Sequence, residues 1–380
     1  MRLVFWHNII SPHQSPFMRE LAEVGHEVVV VATEAMSKER RQLGWSAPPL
    51  GHARVILSPN QSEVRQIVES GGLEDIHFIA GARWTPLGVQ AARACRTSGR
   101  RMGLITESPD PRGIGGPLRW VKYSWERINM GKYFDFILAM GQRGVRWFKL
   151  CGYPESRIFP FAYVTDRLSV TTRGKLGDFV HFLFAGQLIG RKGVDFLLRA
   201  LAQVSGAKLS IVGDGPEKEG FQKLALECGI ADRVFWLGKM SSAQVQAQIE
   251  EADILVLPSR EDGWGAVINE ALMAGTPVIC STACGASDLI RHPWLGTVFQ
   301  AGRVDDLAAA LNAWARKGKR SETERERIRT WSRCIEAEFV AKYVEEVLVH
   351  VYVGGSKPTA PWRLDSQEVL PRGVDALAGS

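Results

Sequence analysis

At 380 residues, 45% hydrophobic and 23% charged, the chain exceeds one hydrophobic core and has the composition of a globular protein built from two domains. No apolar run reaches the roughly 18 residues of a membrane span, and the apolar block Leu3 to Trp6 is too short for a signal peptide. The net charge of +6 is uneven: 16 Lys/Arg against 6 Asp/Glu between positions 83 and 173 give a local +10, leaving about −4 elsewhere.

The first segment predicts a strand over Leu3–His7, a loop Asn8–Ser15, and a helix that Ser15 N-caps ahead of Pro16 and Gly25 ends. Val28–Ala32 is the next strand. Strand, helix and strand at this spacing imply a right-handed crossover and a parallel sheet. Further strands follow at Val55–Leu57, Ile76–Ala80, Met102–Thr106, Phe136–Ala139 and Ile158–Phe161, with helices between. The stretch Val164–Asp178 lacks periodicity and reads as an interdomain connection. The pattern then restarts: strands Phe179–Phe184, Lys208–Val212, Val234–Leu237, Ile254–Leu257 and Pro277–Cys280 alternate with helices Val194–Val204, Phe221–Cys228, Ser241–Glu250 and Ala266–Ala274. This predicts an α/β protein of two doubly wound, Rossmann-like domains. Residues 1–165 form the first and 166–334 the second. The charged stretch Lys317–Arg333 reads as a solvated helix and Ile335–Val351 as an amphipathic one, with 335–380 packing back on the first domain. The Pro- and Gly-rich tail from Gly354 is expected to be irregular. Six cysteines, at 95, 151, 228, 280, 284 and 334, form no Cys-x-x-Cys pair, and Cys280 and Cys284 have no histidine nearby, so they read as reduced thiols rather than disulfides or zinc ligands.

In an open α/β sheet ligands bind beyond the carboxyl ends of the strands. In the second half those ends are glycine-rich. After Phe184 comes Ala185-Gly186-Gln187-Leu188-Ile189-Gly190-Arg191-Lys192-Gly193, where glycines admit a diphosphate to the backbone and Arg191 and Lys192 supply positive charge. Gly213-Asp214-Gly215-Pro216 follows Val212, a Gly-x-Gly without the third glycine of a dinucleotide fingerprint. Lys239 and Met240 follow the next strand. After Leu257 the run Pro258-Ser259-Arg260-Glu261-Asp262-Gly263-Trp264-Gly265-Ala266-Val267-Ile268-Asn269-Glu270 opens a helix whose first N–H groups suit phosphate oxygens. Asp262 and Glu270 bracket that helix start, and carboxylates accept well from sugar hydroxyls. A glycine-rich turn with a capping Asp is the purely structural alternative.

In order and spacing, Phe184-Ala185-Gly186…Arg191-Lys192-Gly193-Val194-Asp195, Ile211-Val212-Gly213-Asp214-Gly215-Pro216, Phe235-Trp236-Leu237-Gly238 and Asp262-Gly263-Trp264-Gly265…Asn269-Glu270-Ala271…Gly275-Thr276-Pro277-Val278-Ile279 resemble the retaining nucleotide-sugar-dependent glycosyltransferases of family four. The first half matches only in plan. The resemblance implies a GT-B fold: two Rossmann-like domains across a cleft, with a C-terminal helix crossing back to the first. It places the E-x7-E motif on Asp262 and Glu270, in D-x7-E form, since Glu261 is out of register by one. It makes Glu270 the ribose-binding acid. Where the family often has Arg, directly after the first glycine, stands Gln187; Lys192 is retained and Arg191 is a neighbouring substitute.

The implied donor is a nucleotide diphosphate sugar of UDP or GDP type, bound by Gly186, Gln187, Gly213, Asp214, Lys239, Met240, Gly263, Trp264, Gly265, Ala266, Val267 and Glu270. Catalysis falls to Lys192, Arg191, Asp262 and Glu107. Cations and helix N–H groups would stabilise the departing diphosphate. With two cations there and no Asp-x-Asp at a suitable strand end, neither a metal nor a cofactor is expected. Retention, by same-face attack with the leaving phosphate taking the acceptor proton, is implied by the resemblance alone.

The acceptor is expected in the first domain, at Asn8, Ser11, His13 and Arg83. Glu107 stands where several family members place a catalytic histidine; the alternative is a surface carboxylate paired with an arginine. His13 is either functional or a solvated loop residue, and His77, inside an apolar strand, reads as core. Arg119 to Arg127 mixes aromatics and cations at helical spacing. It is either an interfacial helix docking on an anionic membrane or a core-facing stripe of Val121, Trp125 and Ile128. The expected role is bacterial polysaccharide, glycolipid or glycoconjugate synthesis on a sugar, lipid-linked or other hydroxyl acceptor. The expected location is the cytoplasm, at the inner face of the membrane if it docks. No nucleic-acid module is present, so nucleic acid is not expected as a partner. A nucleotide-sugar 2-epimerase of the same fold and a non-catalytic nucleotide-sugar-binding protein are the competing readings.

Overall fold

The computed structural model describes residues 1–42, 45–80, 85–107, 109, 115–167 and 179–364. Arg83, with the rest of the loop 81–84, lies outside the described residues, as do Ser108, most of the connection 164–178 and the tail from 365.

In the first half, β1 (Arg2–Ile9), α1 (Ser15–Glu23), β2 (Glu27–Glu34), α2 (Lys38–Gln42), β3 (Arg54–Leu57), α3 (Gln61–Glu69), β4 (Ile76–Ala80), α4 (Pro86–Thr97), β5 (Arg101–Thr106), α5 (Gly115–Asn129), β6 (Phe136–Met140), α6 (Gly141–Leu150) and β7 (Ile158–Phe161) alternate. Their strands pair in parallel in the order β3-β2-β1-β4-β5-β6-β7. The second half comprises β8 (Val180–Ala185), α7 (Val194–Leu201), β9 (Ala207–Val212), α8 (Lys218–Glu227), β10 (Val234–Gly238), α9 (Ser242–Glu251), β11 (Ile254–Leu257), α10 (Val267–Met273), β12 (Val278–Ser281), β13 (Gly296–Phe299), α11 (Val304–Lys317), α12 (Glu322–Ser332) and α13 (Ala337–Tyr352). Its sheet is parallel in the order β10-β9-β8-β11-β12-β13. Strands such as Val28–Ala32 and Ile254–Leu257 are buried on both faces, as helices on either side of a parallel sheet require.

The chain order reverses between β1 and β4 in one sheet and between β8 and β11 in the other. These are the switch points at which doubly wound sheets open a crevice. The loops that leave them include 10–14, after β1, and the basic and D-G-W-G loops after β8 and β11.

α13 packs against α1 of the first half, Tyr343 donates to Pro160 O at 3.0 Å, and Tyr352 donates to Asp135 Oδ2 at 2.9 Å. The C-terminal helix therefore crosses back as expected. One face of the first sheet and the whole second sheet share a continuous apolar cluster; the other face of the first sheet has its own.

Several local expectations are corrected. Ser15 is not the N-cap of α1: Gln14 is, and the Ser15 hydroxyl donates back to Ser11 O at 2.8 Å. A sixth strand, β13, and a helix, α11, follow the five expected strands; β13, Gly-Thr-Val-Phe, opens on glycine and is only partly buried, a weak signal. The tail from Gly354 is not wholly irregular, since Ala360 and Trp362 are 1% exposed and 361–363 form a turn. Val121, Trp125 and Ile128 are not core: they are 56, 63 and 62% exposed. Tyr123, on the opposite face of α5, is its large buried side chain, packed against Trp147 and Phe148. All six cysteines are free, and His77 is core, accepting from Trp6 Nε1 at 3.1 Å.

Candidate active site

The donor-side loops interlock by close backbone approach. Gly213 has φ +134°, and a Cβ there would collide with Gly186 O. Gly193 has φ +69°, and a Cβ there would collide with Pro258 O, which brings the basic turn 190–192 against the end of β11. Arg260 completes the clamp. It grips both oxygens of Asp195 at 2.7 and 2.6 Å, donates to Gly190 O at 2.7 Å, and its backbone N–H donates to Arg191 O. Arg260 was not among the sequence candidates; its position in the motif run was the available signal.

Within this frame Lys192 Nζ donates to Asp262 Oδ2 at 2.6 Å, and Ser259 Oγ lies 3.5 Å from the same oxygen. Asp262 is 8% exposed. Arg191 Nη1 stands 4.0 Å from Asp262 Oδ1 and donates to Glu261 O at 2.9 Å. The structure thus joins the basic loop and the first acid of the D-x7-E pair. The second acid, Glu270, lies in the first turn of α10, half-buried, and burial pushes its carboxyl up to about 7. Gly265, with φ +93°, and Ala266, the N-cap, lead into that helix at Val267.

Gln187, Asp214 and Lys239 are exposed along the same rim and Met240 is half-buried. The Trp264 side chain is 1% exposed and donates to Asn269 Oδ1 at 2.7 Å, so it props the loop from behind and leaves only its backbone toward a ligand.

Across the cleft, the Glu107 carboxylate accepts from the Tyr163 hydroxyl at 2.5 Å and lies so close to Gly263 that a Cβ there would overlap it. It is not paired with an arginine among the described residues. Burial, then the Glu107 charge, hold the Tyr163 phenol well above its ordinary range. Tyr163 O accepts from Asn269 Nδ2 at 2.7 Å, so one residue ties Glu107 to the D-G-W-G loop. His13 stacks on Tyr163 with ring centroids 5.4 Å apart and meets Trp45 edge-on at 5.1 Å. Burial, then the Arg40 charge, push its imidazole down to about 4, so it is neutral at pH 7 and is no solvated loop residue. Ser11 Oγ accepts from His13 N, and Asn8 is exposed at the end of β1. Tyr163 escaped sequence reading because it lies 56 residues from its partner Glu107.

Among the described residues no group of three or more His, Cys, Asp or Glu is placed to hold a metal, and no helix is long and apolar enough to cross a membrane.

Comparison with known proteins bears on this geometry. The model of the family "Glycosyl transferases group 1" matches residues 173–331. The GDP-mannose-dependent alpha-(1-6)-phosphatidylinositol monomannoside mannosyltransferase of Mycobacterium tuberculosis is 35% identical over 284 residues, 68% of this chain and 72% of that protein. The lipopolysaccharide 1,6-galactosyltransferase of Escherichia coli is 30% identical over 213 residues, 53% of this chain and 59% of that one. Among solved structures, the lipopolysaccharide outer core galactosyltransferase WaaB in apo form aligns with TM-score 0.68 at 20% identity, covering 92% of this chain and 99% of that chain. Anabaena HepE in complex with UDP aligns equally well, TM-score 0.68 at 17% identity, with the same coverage.

Two parallel Rossmann-like sheets joined through a returning C-terminal helix are the GT-B architecture of glycosyltransferases. This chain belongs to the glycosyl transferases group 1 family and is a glycosyltransferase.

Proposed function

We propose that the enzyme moves a sugar from a UDP- or GDP-type nucleotide sugar to an acceptor hydroxyl with retention of anomeric configuration, without a metal. The observation that carries this reading is the Lys192–Asp262 pair at the second switch point, facing Glu107 of the first half. Residues 166–334 bind the donor: the Gly186, Gln187 and Gly213 backbone with Asp214, Lys239 and Met240 along the nucleotide, Gly263 to Val267 at the phosphates, and Glu270 at the ribose. The M. tuberculosis relative is named as GDP-mannose-dependent, and HepE was solved with UDP, which supports a nucleotide sugar as co-substrate. The named relatives are transferases, which favours transfer over epimerisation or binding without turnover.

As the bond between the anomeric carbon and the β-phosphate oxygen breaks, negative charge gathers on the diphosphate. Lys192, Arg191 and the α10 N–H groups oppose it. Asp262 holds Lys192 in place and accepts from a donor-sugar hydroxyl. The acceptor oxygen attacks from the same face and its proton passes to the leaving phosphate oxygen. Glu107 orients that hydroxyl, and residues 1–165, with Asn8, Ser11, His13 and Arg83, hold the rest of the acceptor.

The acceptor is lipid-linked or otherwise presented at an anionic membrane. Leu118, Val121, Trp125 and Ile128 form one outward stripe on α5, 72, 56, 63 and 62% exposed, flanked by Arg119 and Lys122. An apolar stripe with aromatic and basic edges suits a headgroup interface at the cytoplasmic leaflet, where the local positive charge meets anionic lipid. In this reading the enzyme serves glycolipid, polysaccharide or glycoconjugate synthesis.

The direct experiment is a binding panel of UDP, GDP and their glucose and mannose conjugates, read by thermal unfolding with and without chelator. A selective rise that survives chelation supports the reading, and no response to any member sinks it.

A further inference from the structure

A run of rings crosses the cleft from the first half to the donor loop. Trp45 meets His13 edge-on with centroids 5.1 Å apart, His13 stacks on Tyr163 at 5.4 Å, and Tyr163 meets Trp264 at 6.0 Å. Glu107 joins the run at the Tyr163 hydroxyl. Arg40 closes its outer end: the guanidinium carbon stands 4.6 Å over the Trp45 ring, and Trp45 N donates to Arg40 O at 3.0 Å. A guanidinium stacked by its face keeps its N–H groups free at its edge. Arg40 is half-buried and its side chain makes no ion pair or hydrogen bond among the described residues, whereas Arg2, Arg260, Arg325 and Arg363 each meet an aspartate. Nor is a nearby acid waiting for it, since Glu107 is engaged by Tyr163 and Asp262 by Lys192. The Arg40 charge is felt at the His13 ring and at the Tyr163 hydroxyl.

Polar atoms are buried without partners at the same end of the first sheet. His7, near the carboxyl end of β1, lies on the face of Phe5, with rings 6.4 Å apart, and α1 covers that face through Phe17. The crossover helix runs back along the sheet, so its N-cap Gln14, with His13 before it, sits over the end of β1 that carries His7. His7 Nε2, His13 Nδ1 and Gln14 Oε1 are all buried and have no hydrogen-bond partner among the described residues. Burial holds the His7 imidazole, like that of His13, down at about 4, so both rings are neutral at pH 7.

A buried polar atom without a partner costs free energy, and neutral imidazole and amide groups find their partners in hydroxyls. An unpaired guanidinium instead calls for an anion, and its fork matches phosphate oxygens. We propose that this end of the first sheet is an acceptor subsite for a phosphorylated polyol: Arg40 takes the phosphate, His13 with its buried neighbours His7 and Gln14 takes hydroxyls, and Glu107 meets the hydroxyl that attacks. The inference rests on the first half being the acceptor side, and it adds the chemical class of the acceptor.

The test follows the fluorine NMR spectrum of the full chain labelled with fluorotryptophan, with the Trp45 and Trp264 resonances assigned from Trp45→Phe and Trp264→Phe. UDP or GDP at saturation fills the donor site. Inorganic phosphate, glycerol and glycerol 1-phosphate are then titrated separately, with chloride balancing ionic strength. The expected result is a saturable shift of the Trp45 resonance, about fivefold or more tighter for glycerol 1-phosphate than for phosphate, the scale of one net hydrogen bond, and none with glycerol or chloride. Arg40→Gln should abolish the shift and Arg40→Lys should keep it weakened, since the charge stays and the fork is lost. His13→Phe keeps a ring on Tyr163 and should weaken glycerol 1-phosphate without weakening phosphate. Dihexanoyl phosphatidylglycerol, kept below its micelle concentration, runs beside these: tighter saturation by it assigns a lipid-borne polyol phosphate, and tighter saturation by glycerol 1-phosphate a free one. No saturable shift at Trp45, or a shift unchanged in Arg40→Gln, overturns the proposal. A shift at Trp264 in place of Trp45 puts the anion in the donor site and overturns it too, and equal saturation by phosphate and glycerol 1-phosphate overturns the polyol. The response of Trp264 to the nucleotides scores the donor site in the same samples, so the donor assignment stands or falls by its own readout.

Discussion

Tyr163 donates its hydroxyl to Glu107 at 2.5 Å while its backbone carbonyl accepts from Asn269 of the D-G-W-G-x3-N run at 2.7 Å. The Glu107 carboxylate, which we propose orients the acceptor, is therefore held by a residue anchored to the D-G-W-G run. Tyr163→Phe removes only the hydroxyl. We expect kcat to fall about tenfold, in line with a lost hydrogen bond to a charged group, with donor KM nearly unchanged. Steady-state kinetics with each substrate varied in turn check this; an unchanged kcat would detach Glu107 from catalysis.

Lys192→Ala should lower turnover at least about a hundredfold, the scale for losing a charge partner of the leaving group. It also leaves Asp262, which is 8% exposed, with only Arg191 at 4.0 Å as a cation. The variant should lose about 1–3 kcal/mol of stability. Lys192→Ala/Asp262→Ala should recover part of that loss, since that carboxylate is gone. Chemical denaturation of the two variants settles it.

Asp262→Glu installs the longer acid that the resemblance to family-four glycosyltransferases implies at this position. The added methylene pushes the carboxylate toward the donor sugar, so relative kcat/KM among nucleotide sugars should change severalfold while Lys192 keeps its partner. A panel of donors assayed on both proteins tests whether the shorter acid sets donor choice.

Glu270 holds its proton in the folded protein up to about pH 7, because burial disfavours its charge, whereas in the unfolded chain it releases it near pH ~4.3. Between those limits the unfolded state binds fewer protons. Stability from this group therefore falls as pH rises from ~4.3 to about 7, by at most ~1.4 kcal/mol per unit, less where solvent reaches the side chain, and is level above. Glu270→Gln should flatten that slope. Ribose hydroxyls favour the ionised carboxylate, so donor affinity should climb toward pH 7 in the wild type and lose that climb in the variant. Glu270→Ala should weaken donor binding more than it slows the chemical step. Calorimetric titration across this pH range supplies both readings.

The α5 stripe should bind sedimenting vesicles that contain phosphatidylglycerol and ignore pure phosphatidylcholine. Replacing Val121, Trp125 and Ile128 by Ser removes three exposed apolar side chains and should cut the partition coefficient at least tenfold, given ~1.5–3 kcal/mol for full burial of each. Turnover on a water-soluble acceptor should stay at the wild-type level. Unchanged sedimentation would dismiss α5 as the docking surface.

The sequence by itself determined the alternation of strand and helix, the plan of two Rossmann-like domains and the glycine-rich and basic loops at the strand ends. Each of these is local. Short apolar runs such as Val28–Ala32 and Ile254–Leu257 read as buried parallel strands, and the basic loop after β8 and the D-G-W-G run after β11 are each contiguous. Strand β13 escaped because its Gly-Thr-Val-Phe run lacks a continuous apolar signal, and the Gln14 cap because it rests on backbone dihedrals that residue type does not specify. Tertiary structure alone decided what the loops do to one another. It joined Lys192 to Asp262 across 70 residues, ran Glu107 through Tyr163 to Asn269, and lined up Trp45, His13, Tyr163 and Trp264 across the cleft. It also decided that Val121, Trp125 and Ile128 face outward, because helical spacing defines a stripe but only packing, here Tyr123 against Trp147 and Phe148, chooses which side of the helix is buried.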